Sequence, residues 1–486
     1  MPEKYRICLL ASEVEPLSKT GGLADVAGAL TKYFHGAGHD VRLFTPLYDS
    51  IAAGALEREM VSGLESVPLR VGPHRFLFAV QRTELAGGAP VYLIDCPSLF
   101  ARGAIYTSAP DEHLRFIAFT HAALLACQRL SFPPQVLHCH DWHTAFGPLL
   151  LRTRWQGEPL FAPTRSVLTI HNIGYQGIFP AEKIADVGVG DREELFYPPD
   201  LVAGHINSLR EGVLHADALT TVSPTYAREI CTAEYGMGLE DTLRARSDAL
   251  TGILNGVDYD EWDPRRDRYL PHHYDAARLA VKRELKAMFL ERLQLAPAPH
   301  VPLAGIVSRL AAQKGIELIV AALPRVLAAR PLQFVALGSG EAKYEQALAS
   351  LEQDFPGRVV FRSGYDDELA HWIEAASDLF LMPSRYEPCG LNQMYSLRYG
   401  TVPIVRRTGG LADSVEHYDP QSGQGTGVLF NDFDAPALEW ALNRALDLYS
   451  APEQWLRLMR NGMRQDFSWE HQGAEYVRLF AHLTGA

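Results

Sequence analysis

Short apolar segments rich in β-branched residues alternate along this chain with longer segments of helical periodicity. Segments that are apolar at consecutive positions are typical of strands in parallel sheets, which are covered on both faces. We predict strands at residues 6–11, 41–44, 76–80, 91–94, 136–140, 166–170, 218–222, 303–307, 333–337, 359–362, 379–382 and 402–405. The helices predicted between them include 114–127, 316–329 and 435–448. This alternation predicts a doubly wound α/β fold.

The length of the chain requires more than one hydrophobic core. At roughly 150 residues per domain, 486 residues predict two or three domains. The interval least like a strand runs from 240 to 302 and contains LNGVDYDEWDPRRDRYLPHHYD, which is rich in proline, aspartate and aromatic residues. We therefore predict a first domain at 1–248, a second at 249–468 and a terminal helix at 469–486.

Charge and cysteine content exclude several classes of protein. The formal net charge of −13 argues against a broad basic surface for nucleic acid or anionic membrane. The six cysteines include no C-x-x-C pair, so neither a disulfide framework nor a zinc knuckle is indicated. No apolar segment is long enough for a secretory signal or for the roughly 20 residues that span a bilayer. We expect a cytoplasmic protein without nucleic-acid or membrane partners, and the sequence leaves its oligomeric state open.

The hexapeptide TGGLAD occurs twice, at 20–25 and at 408–413. In each copy a predicted strand precedes the glycines and a predicted helix begins at the leucine. The N-terminus of a helix presents unpaired N–H groups and a positive dipole, and glycine allows a ligand to approach closely, so an anion is favoured there. A tight strand-to-helix turn is the alternative. Because each half of the chain has one copy, we predict two similar α/β halves whose glycine turns meet across a cleft at the carboxyl ends of the strands.

Seven segments together resemble the bacterial glycogen synthases and plant starch synthases. They follow the order of that family from near residue 6 to beyond residue 430. In chain order they are KTGGLADV at 19–26, HDWH at 140–143, HN at 171–172, LNGVD at 254–258, SRLAAQKG at 308–315, PSRYEPCGLNQMYSLRYG at 383–400 and RRTGGLADSV at 406–415.

The resemblance implies a fold and a reaction. The expected fold is two Rossmann-like doubly wound domains facing across a deep cleft, the GT-B arrangement, with the terminal helix crossing back to the N-terminal domain. The expected donor is ADP-glucose and the expected acceptor is the non-reducing end of an α-1,4-glucan. The transfer would retain the anomeric configuration and use no metal ion and no dissociable cofactor. The N-terminal domain would then lie on the acceptor side, and the C-terminal domain would bind the nucleotide sugar.

Two cations are the expected partners of the departing diphosphate. Without a metal, that diphosphate needs fixed positive charges and oriented N–H groups. Arg309 and Lys314 lie in SRLAAQK at a predicted strand-to-helix turn, and the resemblance assigns both to the phosphates. A solvated surface charge is the alternative for each. Lys19, next to the first glycine pair, resembles a further donor-binding cation.

Two further residues complete the predicted catalytic set. The resemblance places Glu387 near the donor glucose, where a carboxylate could stabilise developing positive charge. Many related transferases have a second glutamate eight positions later, but Tyr395 occupies that place here. His171 follows an apolar strand, and the resemblance places it against the glucose or the bond being formed. A core histidine is the alternative. Since no residue is identified as a nucleophile on the back face, we favour a front-face mechanism.

The other predicted binding residues come from the same motifs. By resemblance, Asp25 organises the first glycine loop, Asp141 contacts the acceptor or sugar, and Tyr365 stacks on adenine. A helix-capping Asp25 and a core Tyr365 are the alternatives. His138 and His140 share one face of a strand, but no further Cys/His cluster supplies a clear set of remaining ligands, so we do not predict a zinc site there. The remaining predicted contacts are Gly21, Gly22, Asn172, Asn255, Ser384, Cys389, Gly390, Leu391, Thr408, Gly409 and Gly410.

Three alternative functions remain at this point. The same fold could make maltose 1-phosphate or use UDP-glucose, because fold alone does not decide substrate. The chain could be an inactive glucan-binding protein, although the candidate catalytic residues are all present. A NAD-dependent oxidoreductase is suggested by Gly338 and Gly340 after a strand, but Lys343 stands where that fingerprint requires a third glycine.

Overall fold

The computed structural model describes residues 4–54, 56–190 and 192–485, which form two compact units. The first unit comprises Met1–Gly256 and Trp469–Ala486, and the second comprises Val257–Ser468. The first unit continues past residue 248 because the strand Leu250–Gly252 pairs with Ala218–Thr221.

The strands alternate with helices throughout both units. The strands of the first unit are β1 (Arg6–Leu10), β2 (Asp40–Pro46), β3 (Glu59–Met60), β4 (Val67–Val71), β5 (His74–Glu84), β6 (Pro90–Asp95), β7 (Val136–His140), β8 (Arg165–Ile170), β9 (Ile178–Pro180), β10 (His205–Asn207), β11 (Ala218–Thr221) and β12 (Leu250–Gly252). Those of the second unit are β13 (Leu303–Val307), β14 (Gln333–Gly338), β15 (Val359–Ser363), β16 (Leu379–Met382), β17 (Val402–Arg406) and β18 (Val428–Phe430).

The helices vary from single turns to eighteen residues. The first unit begins with α1 (Gly22–Gly36), α2 (Asp49–Ala52), α3 (Pro97–Phe100), α4 (Glu112–Arg129), α5 (Asp141–Thr144), α6 (Gly147–Arg152), α7 (Pro198–Val202), α8 (Ser208–His215), α9 (Pro224–Glu229) and α10 (Glu240–Ala245). The second contains α11 (Ala280–Arg292), α12 (Ile316–Ala329), α13 (Ala342–Asp354), α14 (Asp367–Ala376), α15 (Asn392–Tyr399), α16 (Gly409–Ser414), α17 (Ala435–Tyr449) and α18 (Pro452–Met463), and the chain ends with α19 (Trp469–Thr484). Short 3₁₀ turns lie at Pro159–Phe161, Ala181–Val187, Glu193–Leu195, Ser247–Ala249 and Ala312–Lys314.

The first unit is built on a ten-stranded sheet in the order β12-β11-β8-β7-β1-β2-β6-β5-β3, with β4 paired to β5. The strands from β12 to β6 are parallel, and their pairings include Ile7 opposite Val41 and Val136. The edge differs, because β5 is antiparallel to β6 and to β3. The predicted strand 76–80 is therefore an antiparallel one. Alternating exposure along β5 accompanies this arrangement, as expected for a sheet edge with one solvated face.

The second unit has a six-stranded sheet in the order β15-β14-β13-β16-β17-β18, and all its pairings are parallel. Residues of β14 and β16 are buried along their whole length. Burial on both faces explains why these strands appear in the sequence as continuous apolar segments. The prediction of an alternating α/β chain with parallel sheets is confirmed.

Helix α1 follows the first TGGLAD segment and begins at Gly22, one residue before the predicted start. Its apolar face is buried, with Val26, Leu30 and Phe34 fully inaccessible to solvent. Helix α19 packs against it within the first unit, and the rings of Phe34 and Phe480 lie 5.5 Å apart. Among the described residues, no helix combines the length and hydropathy needed to cross a bilayer.

Candidate active site

The first glycine loop is organised by a carboxylate that the sequence analysis did not identify. Glu13 lies shortly after β1 and is buried. Its Oε1 accepts a hydrogen bond from the Thr20 hydroxyl at 2.7 Å, and its Oε2 accepts from the backbone N–H groups of Thr20 and Gly21. The phenol of Tyr106 also donates to Glu13. The signal that could have revealed Glu13 is an acidic residue close to the carboxyl end of a buried strand.

Lys19 is held over the start of α1 by an ion pair. Its Nζ lies 2.7 Å from Asp25 Oδ1 and 3.7 Å from Glu15 Oε2. Burial raises the pKa of Asp25, and the charge of Lys19 opposes that increase. Among the described residues, the Asp25 carboxylate accepts a hydrogen bond from Lys19 and none from the first turn of α1. Asp25 therefore holds the Lys19 ammonium at this position, and its part in organising the glycine loop stays a prediction.

The two TGGLAD copies use their glycines differently. A Cβ added to Gly21 or Gly22 would meet no atom within 4 Å. In the second copy, a Cβ on Gly410 would lie 2.2 Å from the carbonyl oxygen of Cys389, and one on Gly409 would lie 1.9 Å from that of Glu387. The first pair thus leaves open space for a ligand, whereas the second pair allows the backbone of 387–389 to approach.

The second copy also differs from the prediction in its hydrogen bonds. Helix α16 begins at Gly409, so both glycines lie inside its first turn rather than before it. The N–H of Gly410 donates to the carbonyl oxygens of Glu387 and Pro388 at 3.1 and 3.2 Å. This N–H is bonded within the protein, because the close backbone approach brings those carbonyl oxygens to it. Thr408, which precedes the helix, is buried.

A lysine, a serine and a glutamate meet in the second unit. Lys314 lies in the 3₁₀ turn after β13, and its Nζ donates to Glu387 Oε2 at 2.7 Å. The hydroxyl of Ser384 donates to the same oxygen at 2.9 Å. Both Ser384 and Glu387 follow β16 and are buried, with 1% and 4% of their surface exposed. Strands β13 and β16 are parallel neighbours, so their carboxyl ends bring these residues together.

Two other predicted donor contacts are exposed in the same unit. Arg309 follows β13, and its guanidinium forms no hydrogen bond or ion pair within the described residues. Tyr365 follows β15, and 71% of its surface is accessible to solvent. Its phenol donates to Asp367 Oδ1 at 2.9 Å, which fixes the ring at the start of α14. The alternative of a core tyrosine is wrong for Tyr365.

The segment after Glu387 forms a tight turn into α15. Cys389 is buried, Gly390 has a φ of 72°, and Leu391 is the N-cap of the helix. The Gln393 amide donates to the carbonyl oxygens of Cys389 and Gly390 at 3.0 and 2.9 Å. Because L side chains rarely adopt such a φ, glycine is favoured at 390.

A histidine pair lies at the carboxyl ends of β7 and β8. His140 Nδ1 and His171 Nε2 are 2.8 Å apart, and both rings are buried. Burial lowers the pKa of His171 to about 3 and lowers that of His140 well below its ordinary value. Both rings are therefore neutral near pH 7, so one N–H donates to the lone pair of the other ring and their tautomers are coupled.

Asp141 supports this pair from the next position. It has a positive φ of 56° and its Oδ1 accepts the N–H of His171 at 2.7 Å and that of Asn172 at 3.4 Å. Burial raises the pKa of Asp141 to about 7, although these backbone hydrogen bonds oppose the increase. Asn255, after β12, is also buried, and its Oδ1 accepts no hydrogen bond from the described residues. Of these predicted residues, Asp141, His171 and Asn172 are brought into direct contact.

The histidines considered for zinc have other partners. His138 Nε2 lies 2.7 Å from the Thr169 hydroxyl, and His140 bonds to His171. Neither belongs to a group of three possible metal ligands among residues 4–54, 56–190 and 192–485. Tyr395, which replaces the second glutamate of the related pattern, is buried and stacks on Trp262 with ring centroids 4.0 Å apart.

Family models and known proteins match this chain over nearly its whole length. A model described as the starch synthase catalytic domain matches residues 6–245, and one described as glycosyl transferases group 1 matches residues 291–461. A glycogen synthase from Anaeromyxobacter dehalogenans is 46% identical over 99% of both chains. One from Koribacter versatilis is 44% identical over 98% of this chain and 97% of its own. The chain belongs to the glycogen synthase family.

Solved structures agree with this membership. The catalytic domain of starch synthase IV from Arabidopsis thaliana, bound to ADP and acarbose, is 34% identical with a TM-score of 0.92 and full coverage of both chains. A sucrose-phosphate synthase from Thermosynechococcus elongatus has a TM-score of 0.62 at 19% identity and covers 99% of both chains, which shows the fold alone. The predicted family, the GT-B fold class and the glycosyltransferase activity of the glycogen synthase type are confirmed.

The family membership excludes the oxidoreductase alternative, and the two glycines that suggested it have close packing partners. A Cβ on Gly338 would lie 1.9 Å from the carbonyl oxygen of Ser308, and one on Gly340 would lie 2.2 Å from that of Leu310. These glycines allow two neighbouring strand ends to approach each other. In this glycogen synthase family member they therefore have a packing role.

Proposed function

We propose that this member of the family transfers glucose from ADP-glucose to the non-reducing end of an α-1,4-glucan and retains the configuration at the anomeric carbon. The observation that carries the proposal is the contact of Lys314 with Glu387 at 2.7 Å, with the exposed guanidinium of Arg309 following the same strand as Lys314. Two cations and a carboxylate at adjacent strand ends match the two charges that develop when a nucleotide sugar ionises.

The cations would stabilise the departing diphosphate. Arg309 can bind two phosphate oxygens at once, whereas the Lys314 ammonium acts as a point charge. Lys314 is only 19% exposed at its side chain, so its interaction with an anion is screened less than that of a surface lysine. Tyr365 presents an exposed aromatic ring on which adenine would stack.

Glu387 would act on the donor glucose. Its carboxylate is buried, receives hydrogen bonds from Lys314 and Ser384, and is therefore held in one orientation. In this position it would bind a sugar hydroxyl and stabilise positive charge on the ring as the bond to phosphate breaks. The retained hydrogen bonds mean that little reorganisation is needed in the transition state.

The reaction would follow a front-face course. The bond from the anomeric carbon to the phosphate oxygen breaks, and the acceptor hydroxyl forms its bond to the same face. The acceptor proton passes to the leaving phosphate oxygen, so ADP departs with that proton. The neutral His171 ring, positioned by its hydrogen bond to His140 and by the bond from the backbone N–H of His171 to Asp141, would contact the transferred glucose. Lys19, oriented by Asp25, would bind the donor.

Transfer assays with defined donors and acceptors test the proposal. The full chain is incubated with labelled ADP-glucose or UDP-glucose and with glycogen, maltose or glucose 1-phosphate, in the presence of EDTA. We expect transfer from ADP-glucose to glycogen, with the product still an α-1,4-glucan. Transfer only to glucose 1-phosphate, only from UDP-glucose, or only after metal is restored would each overturn a stated part of the proposal. Glu387→Gln is the matched inactive control.

A further inference from the structure

Three possible metal ligands lie close together in the second unit, and the proposal above assigns none of them a function. Glu261, Asp367 and His371 place their ligating atoms within 4.8 Å of one another. Asp367 and His371 are four residues apart on α14, a spacing that puts both side chains on one helix face. Glu261 comes from the loop that precedes α11. The two carboxylates are partly exposed and the histidine is buried.

The orientation of His371 points to a ligand. Its Nδ1 lies 2.8 Å from Asp267 Oδ2, and both side chains are at most 1% exposed. Its Nε2 is buried and has no hydrogen-bond partner among the described residues. With Nδ1–H donating to Asp267, Nε2 presents a lone pair. A carboxylate that orients a histidine in this way is the usual support for a metal-binding imidazole.

The surroundings hold the same groups in place. Asp267 also accepts from the Tyr399 phenol at 2.6 Å, and Trp262 stacks on the His371 ring with centroids 3.7 Å apart. Asp367 accepts from the phenols of Tyr269 and Tyr365 at 2.6 and 2.9 Å. These bonds orient the carboxylate without adding positive charge. The Arg268 guanidinium lies 3.5 Å from Asp367, is 72% exposed at its side chain and also donates to the Tyr269 phenol at 2.8 Å.

We propose that Glu261, Asp367 and His371 bind a divalent transition-metal ion, of which Zn²⁺ fits the donor set best. One imidazole nitrogen and two carboxylate oxygens are ligands that Zn²⁺ accepts at about 2.0–2.2 Å, and water would complete the tetrahedron. Mg²⁺ and Ca²⁺ prefer oxygen ligands alone, so the histidine selects against them. The ion would tie the loop around Trp262 to the start of α14. The catalytic proposal uses no metal, and the two sites share one contact, the hydrogen bond from Tyr365 to Asp367.

Metal titration of the full chain tests the site. Protein dialysed against EDTA and then freed of the chelator is titrated with Zn²⁺ by calorimetry and with Co²⁺ by visible absorption, without nucleotide sugar. We expect one saturable site whose Co²⁺ spectrum is that of a four-coordinate ion. Glu261→Gln and Asp367→Asn should each weaken binding at least about tenfold, and Asp267→Asn should weaken it about 10- to 100-fold through the orientation of His371.

Glu368→Gln is the matched control, because Glu368 lies beside Asp367 on α14 and pairs with Arg292 instead. It should bind Zn²⁺ like the original protein. Near-UV circular dichroism checks that each variant is folded. Absence of a saturable site, or equal affinity in Glu261→Gln, Asp367→Asn and Glu368→Gln, would overturn the proposal. Because binding is measured without donor and glucosyl transfer is measured in EDTA, failure of either proposal leaves the other unaffected.

Discussion

Lys314 and Glu387 are 73 residues apart in the chain, yet Lys314 Nζ donates a 2.7 Å hydrogen bond to Glu387 Oε2. The parallel pairing of β13 with β16 causes this contact, since it aligns the strand ends from which both residues follow. The ion pair holds a cation and an anion together at these strand ends. In the proposed reaction each group would act on a different part of the nucleotide sugar.

Replacing Glu387 with glutamine tests the need for its charge. The amide oxygen can still accept from Lys314 and Ser384, but it cannot stabilise positive charge on the glucose. We expect Glu387→Gln to reduce turnover by more than about 100-fold, the scale of losing one preorganised electrostatic contact. Initial rates with ADP-glucose and glycogen measure this. Glu317→Gln is the control, because the Glu317 carboxylate pairs with Arg385 on the surface, and its turnover should stay near normal. Normal turnover in folded Glu387→Gln would remove Glu387 from the catalytic set.

Removal of the Arg309 side chain should affect the reaction and leave the fold intact. The guanidinium is exposed and has no partner within the described part of the chain, so its loss breaks no internal contact. We expect Arg309→Ala to reduce kcat/KM by more than about 100-fold with an unchanged Tm. Arg325→Ala is the control, since Arg325 is an exposed residue of α12 that pairs with Glu439 of α17. Similar kcat/KM values for both variants would contradict a phosphate-binding role of Arg309.

The two glycine pairs should respond differently to alanine. Gly21 has an extended backbone and open space around its Cβ direction, so Gly21→Ala should cost less than about 1 kcal/mol of stability. It should still raise the donor KM about tenfold, because a methyl group would stand where the ligand approaches. Gly410→Ala should lower stability by about 2 kcal/mol or more, since its Cβ would overlap the Cys389 carbonyl. Urea unfolding and donor kinetics separate the two effects, and the reverse pattern would refute this assignment.

His140 should act by positioning His171. Their ring nitrogens are 2.8 Å apart, so loss of His140 frees the tautomer and orientation of His171. We expect His140→Leu to reduce kcat about 10- to 100-fold with little change in the donor KM. His140→Asn, whose amide can still bond to His171, should recover part of that loss. If His140→Leu and His140→Asn have the same kcat, the hydrogen bond has no positioning role.

Asp141 should make stability depend on pH. Burial raises the pKa of this carboxyl from 3.8 to about 7, so the folded state binds more protons than the unfolded state between those values. The contribution of Asp141 to stability is therefore full below pH 4 and is lost as the pH rises through about 7. Asparagine does not titrate, so Asp141→Asn removes this loss. The free energy of unfolding of Asp141→Asn relative to that of the original protein should be higher at pH 8 than at pH 5 by on the order of 2 kcal/mol.

Urea unfolding of both proteins at the two pH values measures this difference. Asparagine is suited to the positive φ at 141 and can still accept the His171 N–H, so the comparison isolates the charge. The exposed Asp248→Asn is the control and should show no such dependence. An equal effect of Asp141→Asn at pH 5 and pH 8 would show that the carboxyl titrates alike in both states.

Much of the fold follows from local pattern. The predicted strands at 136–140, 303–307 and 379–382 and the helix at 316–329 have the observed bounds, because burial on both faces of a parallel sheet leaves a continuous apolar segment. The weaker strands β3, β9, β10, β12 and β18 are two or three residues long and were not predicted. Segments of that length contain too few side chains for a period to be recognised.

Less of the candidate site than of the fold could be predicted from the sequence. The motifs indicated Lys314, Glu387 and His171, but they did not indicate the contacts of Glu13 or the contact of His140 with His171. Glu13 bonds to Thr20 and Gly21 in its own loop and to the distant Tyr106, whereas the partner of His140 is brought close by the strand order. His140 and His171 are 31 residues apart in the chain and become neighbours because β7 pairs with β8. No local pattern records such a pairing.

The two copies of TGGLAD show most clearly what the sequence determines and what only the tertiary structure decides. The sequence by itself determined the alternation of strands and helices, the position of a glycine pair at the start of two helices, and membership of the family through its motifs. Only the tertiary structure decided that Gly21 faces open space while Gly410 lies against the backbone at Cys389. Helical and strand periodicity are properties of neighbouring residues, whereas the space around a glycine depends on which distant segment packs against it.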